Sequence, residues 1–225
     1  MLPRPPIRTV CVYCASSEES PVVYRDAAAR LGAVLAGAGM AIVYGGGSSG
    51  SMGRLAGAAL AAGGKVTGVL PRFMDDLEWG HPALTELRIA DGMHERKRLM
   101  LELSDAVVAL PGGSGTLEEL FEAITWKRLG LYLGPIVIVN VNGFFDPCIE
   151  LLHRAVEQRF MDERHAALWS VAGEPRPSRS GGQQLRSLSA YRGTAKPRAS
   201  SLHGGAARSA STTSSGSAAT DHMAA

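Results

Sequence analysis

At 225 residues, 45% hydrophobic and 20% charged, the chain is sized for one globular domain with a full apolar core. Its apolar runs, AVVAL at 106–110 and IVIVNV at 136–141, fall well short of the about 20 residues a bilayer span needs. The net charge of +2 is uneven: residues 174–225 carry seven basic and two acidic side chains, leaving 16 basic against 19 acidic in residues 1–173, a net of −3. A slightly acidic body is a poor candidate for general nucleic-acid binding, which needs a basic face.

In chain order, the hydrophobic pattern predicts a strand at Thr9–Ala15, a helix at Val22–Ala38, a strand at Met40–Tyr44 and a helix at Met52–Ala62. Strands follow at Lys65–Leu70 and Leu84–Ile89, then a helix at His94–Ser104, a strand at Ala106–Leu110 and a helix at Thr116–Leu129. A strand at Ile136–Val141, a helix at Pro147–Phe160 and a last strand at Ala167–Val171 complete the pattern. Continuously apolar strands separated by helices imply a Rossmann-like, doubly wound, mainly parallel sheet of about seven strands with helices on both faces. In such sheets ligands sit where loops leave the carboxyl ends of the strands. Residues 1–173 are therefore read as the functional domain. Residues 174–225, rich in Ser, Ala, Gly and Arg without periodicity, are read as a low-complexity, disordered tail. The opening MLPRPPIRTV has no apolar stretch of the signal-peptide kind, so the expected compartment is the cytoplasm, with no membrane partner.

Cys11-Val-Tyr-Cys14 spells CxxC, the spacing of redox and zinc pairs. Here it falls inside a strand, where positions three apart point to opposite faces, and no second Cys/His pair lies nearby to complete a zinc site. Both thiols are expected to be small core residues, and no metal site is predicted.

Two glycine-rich loops stand at strand ends. The first, Tyr44 to Gly53 (YGGGSSGSMG), contains Gly45-x-Gly47-x-x-Gly50, the spacing of a dinucleotide fingerprint. It does not follow the first strand, and the next strand, KVTGVLP, does not end in an acidic residue that would hold a ribose hydroxyl, so an NAD enzyme is disfavoured. The lack of Gly-Lys-Ser/Thr excludes a Walker loop. What remains is a close backbone approach to an anion or sugar at a helix start, with Gly46 and Gly47 as candidate contacts, or simply a tight turn.

The second loop, ALPGGSGTLEEL from Ala109 to Leu120, runs from an apolar strand into a helix. Its glycines expose backbone N–H groups where the helix dipole favours a phosphate. Thr116 and Glu119 also fit a capping box, with Thr116 as N-cap, so Glu119 has a structural reading beside a chemical one. Arg96, Lys97 and Arg98 in DGMHERKRLM fall in the first turns of a helix, where positive charge opposes the dipole. Residues that break a local rule in this way often sit at functional sites. His94 reads as a cap or core-edge histidine.

GGGSSGSMG, MHERK and PGGSGTLEE, in this order and on this fold pattern, resemble the LONELY GUY (LOG) family over about residues 8–172. These are cytokinin riboside 5′-monophosphate phosphoribohydrolases, many formerly labelled lysine decarboxylases. Ile124-Thr-Trp126 and Asn142-Gly-Phe-Phe are similar too. The resemblance implies hydrolysis of an N6-modified AMP to free base and ribose 5-phosphate, with no metal and no organic cofactor, by a homodimer. It implies that Arg96 and Glu119 are catalytic, that Glu78 and Lys97 contact the nucleotide, and that Gly112, Gly113, Ser114, Gly115 and Thr116 form the phosphate loop. A pyridoxal-dependent decarboxylase would need a lysine in a cofactor setting, which Lys65, Lys97, Lys127 and Lys196 do not offer. Trp79, Met93 and Trp126 are candidates for the purine side. A broader nucleotide hydrolase and a non-catalytic nucleotide carrier are the alternatives; the carrier needs the loop but not the Arg96–Glu119 pair. Two departures stand out. Ser114 occupies a position where the family usually has a larger, often aromatic residue, and after ALWSVAGEP the sequence PRPSRSGGQQLRSLSAYRGT replaces an expected last helix.

Overall fold

The computed structural model describes residues 6–77 and 80–173. The predicted tail, residues 174–225, lies outside them, as do Glu78 and Trp79. Among the described residues, seven strands form one sheet: β1 (Thr9–Tyr13), β2 (Ala41–Tyr44), β3 (Val66–Pro71), β4 (Glu86–Ala90), β5 (Ala106–Ala109), β6 (Ile136–Val139) and β7 (Ser170–Ala172). Six α-helices connect them: α1 (Val22–Gly37), α2 (Gly50–Ala61), α3 (Arg72–Asp75), α4 (Met93–Glu102), α5 (Ser114–Leu129) and α6 (Asp146–Glu157).

The strand order is β4-β3-β2-β1-β5-β6-β7, and every pairing is parallel. The chain winds outward from β1 to one edge, crosses back over the sheet through α4, and winds to the other edge from β5. The direction reverses between β1 and β5, which is where ligand sites open in doubly wound sheets. Alternation along β1 divides the core: Val10 and Val12 face a cluster with Ala28, Leu31 and Leu55 of α1 and α2. Cys11 and Tyr13 face the opposite cluster, with Met100, Leu120 and Leu152 of α4, α5 and α6. Cys14 joins the first cluster, so the two cysteines of the CxxC spacing lie on opposite faces, fully buried and unpaired.

Element boundaries moved at several points. A short α3 follows β3, and 3-10 turns at Val141–Gly143 and Glu163–Ala167 were not anticipated. Ala167, expected to open the last strand, ends the second of these turns, and β7 starts at Ser170. The helix α6 ends at Glu157 rather than Phe160. The helix α5 ends on Gly130, whose left-handed φ of 77° provides a standard stop. No helix among the described residues is long and apolar enough to cross a membrane.

Candidate active site

The start of α5 corrects one expectation. The helix begins at Ser114 with Gly113 as N-cap and no side-chain cap bond, so Thr116 does not cap it. Thr116 instead lies buried in the first turn, packed against Gly112, where a Cβ would run into its side chain. The capping box therefore does not form, and Glu119 is released from that role. The first turn leaves Gly113, Ser114 and Gly115 exposed to solvent at the carboxyl edge of β5, with backbone N–H groups free of the α-helical ladder by position. That is the geometry an anion needs.

Glu119, one turn further, is 6% exposed, and Arg96 on α4 is 5% exposed. The Arg96 guanidinium donates from Nη1 to Glu119 Oε1 at 3.1 Å, from Nε to the Val69 carbonyl at 2.9 Å and from Nη2 to the Gly45 carbonyl at 3.3 Å. One side chain thus ties β3, the end of β2 and α5 together at the carboxyl edge of the sheet. An arginine buried this deeply needs such partners, because an unpaired buried charge is costly. Burial pushes the Glu119 carboxyl above its ordinary range; Arg96 opposes the rise, and neighbouring Glu118 adds to it. Cys11, Tyr13 and Cys14 of the β1 segment lie close enough to feel the Glu119 charge.

Lys97 is also buried, at 6% exposed. It pairs with Glu118 and, at 3.3 Å, with Glu122, locking α4 onto α5. Burial works against its charge, yet the two carboxylates outweigh it and its pKa is raised. Arg98, the third cation of the run, is half-exposed and bonds Glu102 on its own helix, so it stays out of the site. His94 is exposed in the first turn of α4.

The carbonyls of Gly46 and Gly47 make hydrogen bonds within the fold. The Gly46 carbonyl accepts from His81 N at 2.9 Å. Gly47 forms an isolated antiparallel bridge to Gly80, and its carbonyl accepts from the Tyr44 hydroxyl at 3.0 Å. The loop is thereby tied to the β3–β4 connection. An open cleft beside this bridge, lined by Ser48, Asp75, Gly80, His81, Pro82 and Leu84 among others, is bordered by neither Arg96 nor Glu119. Met93 is 39% exposed at the start of α4, whereas Trp126 packs against the core. Glu78 and Trp79 fall outside the described residues, so the structure places neither. Among the described residues, no group of three His, Cys, Asp or Glu side chains is placed to hold a metal ion.

Sequence reasoning passed over two participants, the carbonyls of Gly45 and Val69. Backbone acceptors carry no side-chain signature, and only the run of three glycines at 45–47 hinted that something bulky approaches there.

Comparison with known proteins identifies relatives of this chain. A family model described as "Possible lysine decarboxylase" matches residues 52–178. The cytokinin riboside 5′-monophosphate phosphoribohydrolase LOG of Oryza sativa subsp. japonica is 44% identical over 156 residues, covering 69% of this chain and 64% of that protein. The corresponding enzyme of Rhodococcoides fascians is 42% identical over 159 residues, covering 70% of this chain and 80% of that one. Among solved structures, the molybdenum cofactor carrier protein of Chlamydomonas reinhardtii superposes with a TM-score of 0.57 at 22% identity, over 74% of this chain and 90% of that one. At that identity the likeness is one of fold.

Proposed function

The chain belongs to the family of the cytokinin riboside 5′-monophosphate phosphoribohydrolases, and on that premise we propose that it hydrolyses the N-glycosidic bond of N6-modified adenosine 5′-monophosphates. The products are the free base and ribose 5-phosphate. The observation that carries the reading is the buried Arg96–Glu119 pair, 3.1 Å apart, one turn from the open start of α5.

The chemistry follows from that arrangement. Breaking C1′–N9 sends the bonding electrons to the purine and leaves positive charge on the ribose, as in glycoside hydrolysis. Ionised Glu119 stabilises that charge and takes a proton from the attacking water, whose oxygen bonds to C1′. The departing purine ends with one proton, so the sum is nucleotide plus water to base plus ribose 5-phosphate. Arg96 holds Glu119 ionised against the pull of burial and fixes its direction. The exposed N–H groups of Gly113, Ser114 and Gly115 and the dipole of α5 receive the 5′-phosphate. Binding energy made at that remote group is then used at the reacting carbon. Lys97, held by Glu118 and Glu122, keeps the two helices in register as well as lending positive charge.

A homodimer belongs to the same reading, supported by Leu129, Leu131 and Leu133, which stand 61%, 67% and 67% exposed at the end of α5 and just beyond it. Residence in the cytoplasm is supported by three cysteines that are all unpaired.

The test is chromatography of the purified protein incubated with N6-isopentenyladenosine monophosphate, the matching riboside, and AMP. Free isopentenyladenine from the monophosphate alone is the expected result. Equal release of adenine from AMP would make it a general nucleotide hydrolase. Nucleotide bound by folded protein with no base released would make it a carrier and overturn the reading.

A further inference from the structure

Three successive glycines follow β2, and only Gly46 among them has a left-handed φ, of 81°. The backbone at Gly45 lies outside that region, so its conformation does not call for glycine. Space does. A Cβ on Gly45 would land on Nη2 of Arg96 and within 3.0 Å of the Met52 methyl. Both obstacles are the far ends of side chains. At Gly50 and Gly53, in the same stretch, a Cβ would instead strike the backbone of Ser16, Ser17 or Ser48. A side chain at Gly45 is therefore accommodated by displacing Arg96 rather than by deforming the fold, and the Gly45 carbonyl that Nη2 reaches at 3.3 Å is kept.

We propose that Gly45 is a positioning residue: its missing side chain forms the slot that seats the Arg96 guanidinium against Glu119. The proposal rests on the reading of Arg96 and Glu119 as the reacting pair. Three contacts fix the guanidinium, and two of them are immobile backbone carbonyls, at Val69 and Gly45. Filling the slot pushes Nη2 away from the second and turns Nη1 away from the carboxylate. The groups that bear on Glu119 are Arg96 and Lys97 from α4, Glu118 from its own helix, and Cys11, Tyr13 and Cys14 from the β1 segment. Arg96 is the leading attraction among them, so moving it leaves burial and Glu118 less opposed.

The experiment compares Gly45→Ala with Gly57→Ala, a substitution on α2 whose Cβ meets nothing within 4 Å, and with Gly45→Ala in an Arg96→Lys background. Two quantities are read: kcat and KM for the N6-isopentenyl monophosphate, and the titration of the Glu119 carboxyl by 13C NMR. Gly45→Ala should lower kcat about 100-fold with little change in KM, the scale expected for a 1 Å misplacement. It should also raise the Glu119 titration, while Gly57→Ala changes neither. Added to Arg96→Lys, which has no Nη2 to displace, it should cost less than about twofold, because coupled residues are not additive. An equal loss in both backgrounds, or a Glu119 titration unchanged from wild type, would overturn the proposal. If the wild-type protein releases no base, the functional reading fails on its own. The titration still decides the positioning claim in that case, and also if Arg96→Lys is too slow to assay.

Discussion

Replacing Arg96 by Met keeps most of the side chain's volume and removes its charge and donors. Three acceptors lose a partner: the Val69 carbonyl, the Gly45 carbonyl and Glu119 Oε1. Breaking a buried ion pair from one side costs about 3–5 kcal/mol, a figure that already includes the stranded acceptors. For a domain of this size each kcal/mol moves the melting temperature by about 2–4 °C, so a fall of roughly 6–20 °C at pH 8 is expected. The loss also depends on pH. Without the guanidinium, burial raises the Glu119 pKa further. A carboxyl whose pKa is higher folded than unfolded binds its proton more tightly in the folded state. Stability then falls as pH rises from the unfolded value, about 4.3, through the folded one. The gap between wild type and variant should therefore be smallest near pH 5 and widest near pH 8. Urea unfolding followed by circular dichroism at both pH values measures it, with the m-value as a check that the two states are unchanged. A penalty below about 1 kcal/mol at pH 8, or the same penalty at both pH values, would refute the buried-pair argument.

On the proposed mechanism, which needs Glu119 ionised, the pH dependence of kcat/KM should show an acid limb whose midpoint lies above the ordinary carboxylate range, because burial raises its pKa; a limb at or below about 4.3 would separate Glu119 from the base role. Gly112→Ala drives a Cβ into the Thr116 side chain and should raise KM for the monophosphate about tenfold or more while leaving riboside binding unchanged. Isothermal titration with both ligands checks this, and an equal loss for both would place the phosphate elsewhere. Cys11 and Cys14 are fully buried, with thiol pKa values pushed well up by burial, so maleimide labelling of native protein at pH 7 should reach only Cys148, which is half-buried. Labelling of Cys11 or Cys14 before unfolding would contradict their place in the core.

The fold was legible because the sheet is parallel and covered on both faces. Runs such as AVVA at β5 and IVIV at β6 are apolar throughout and separated from one another by polar, glycine-containing helix and turn segments, which gives both their type and their number. Boundaries were less legible where local and tertiary signals compete. Thr116 with Glu119 makes a good capping box on paper, but the helix begins earlier, at Ser114, where Thr116 packs against Gly112 and Glu119 bonds Arg96 instead. The Arg96–Glu119 contact spans 23 positions, and no periodicity encodes it; the family resemblance named both residues, while their meeting point depends on the crossover from β4 to β5. The 3-10 turn at Val141–Gly143, with Asn142 at a φ of 51°, was invisible because a single left-handed asparagine leaves no pattern.

The three contacts of Arg96 have one further consequence. They reach Gly45, Val69 and Glu119, so the site does not exist until four separately wound units have docked. Pairings of this range form late and slowly, because loop closure must precede any gain from contact. Catalytic competence should thus be the last property acquired during refolding, lagging helix content. A proteolytic fragment lacking either half of the sheet should retain none of it. For this chain, turnover would serve as a reporter of global assembly, and a substitution far from the edge of the sheet could silence it without disturbing a single atom of the site in the folded molecules that remain.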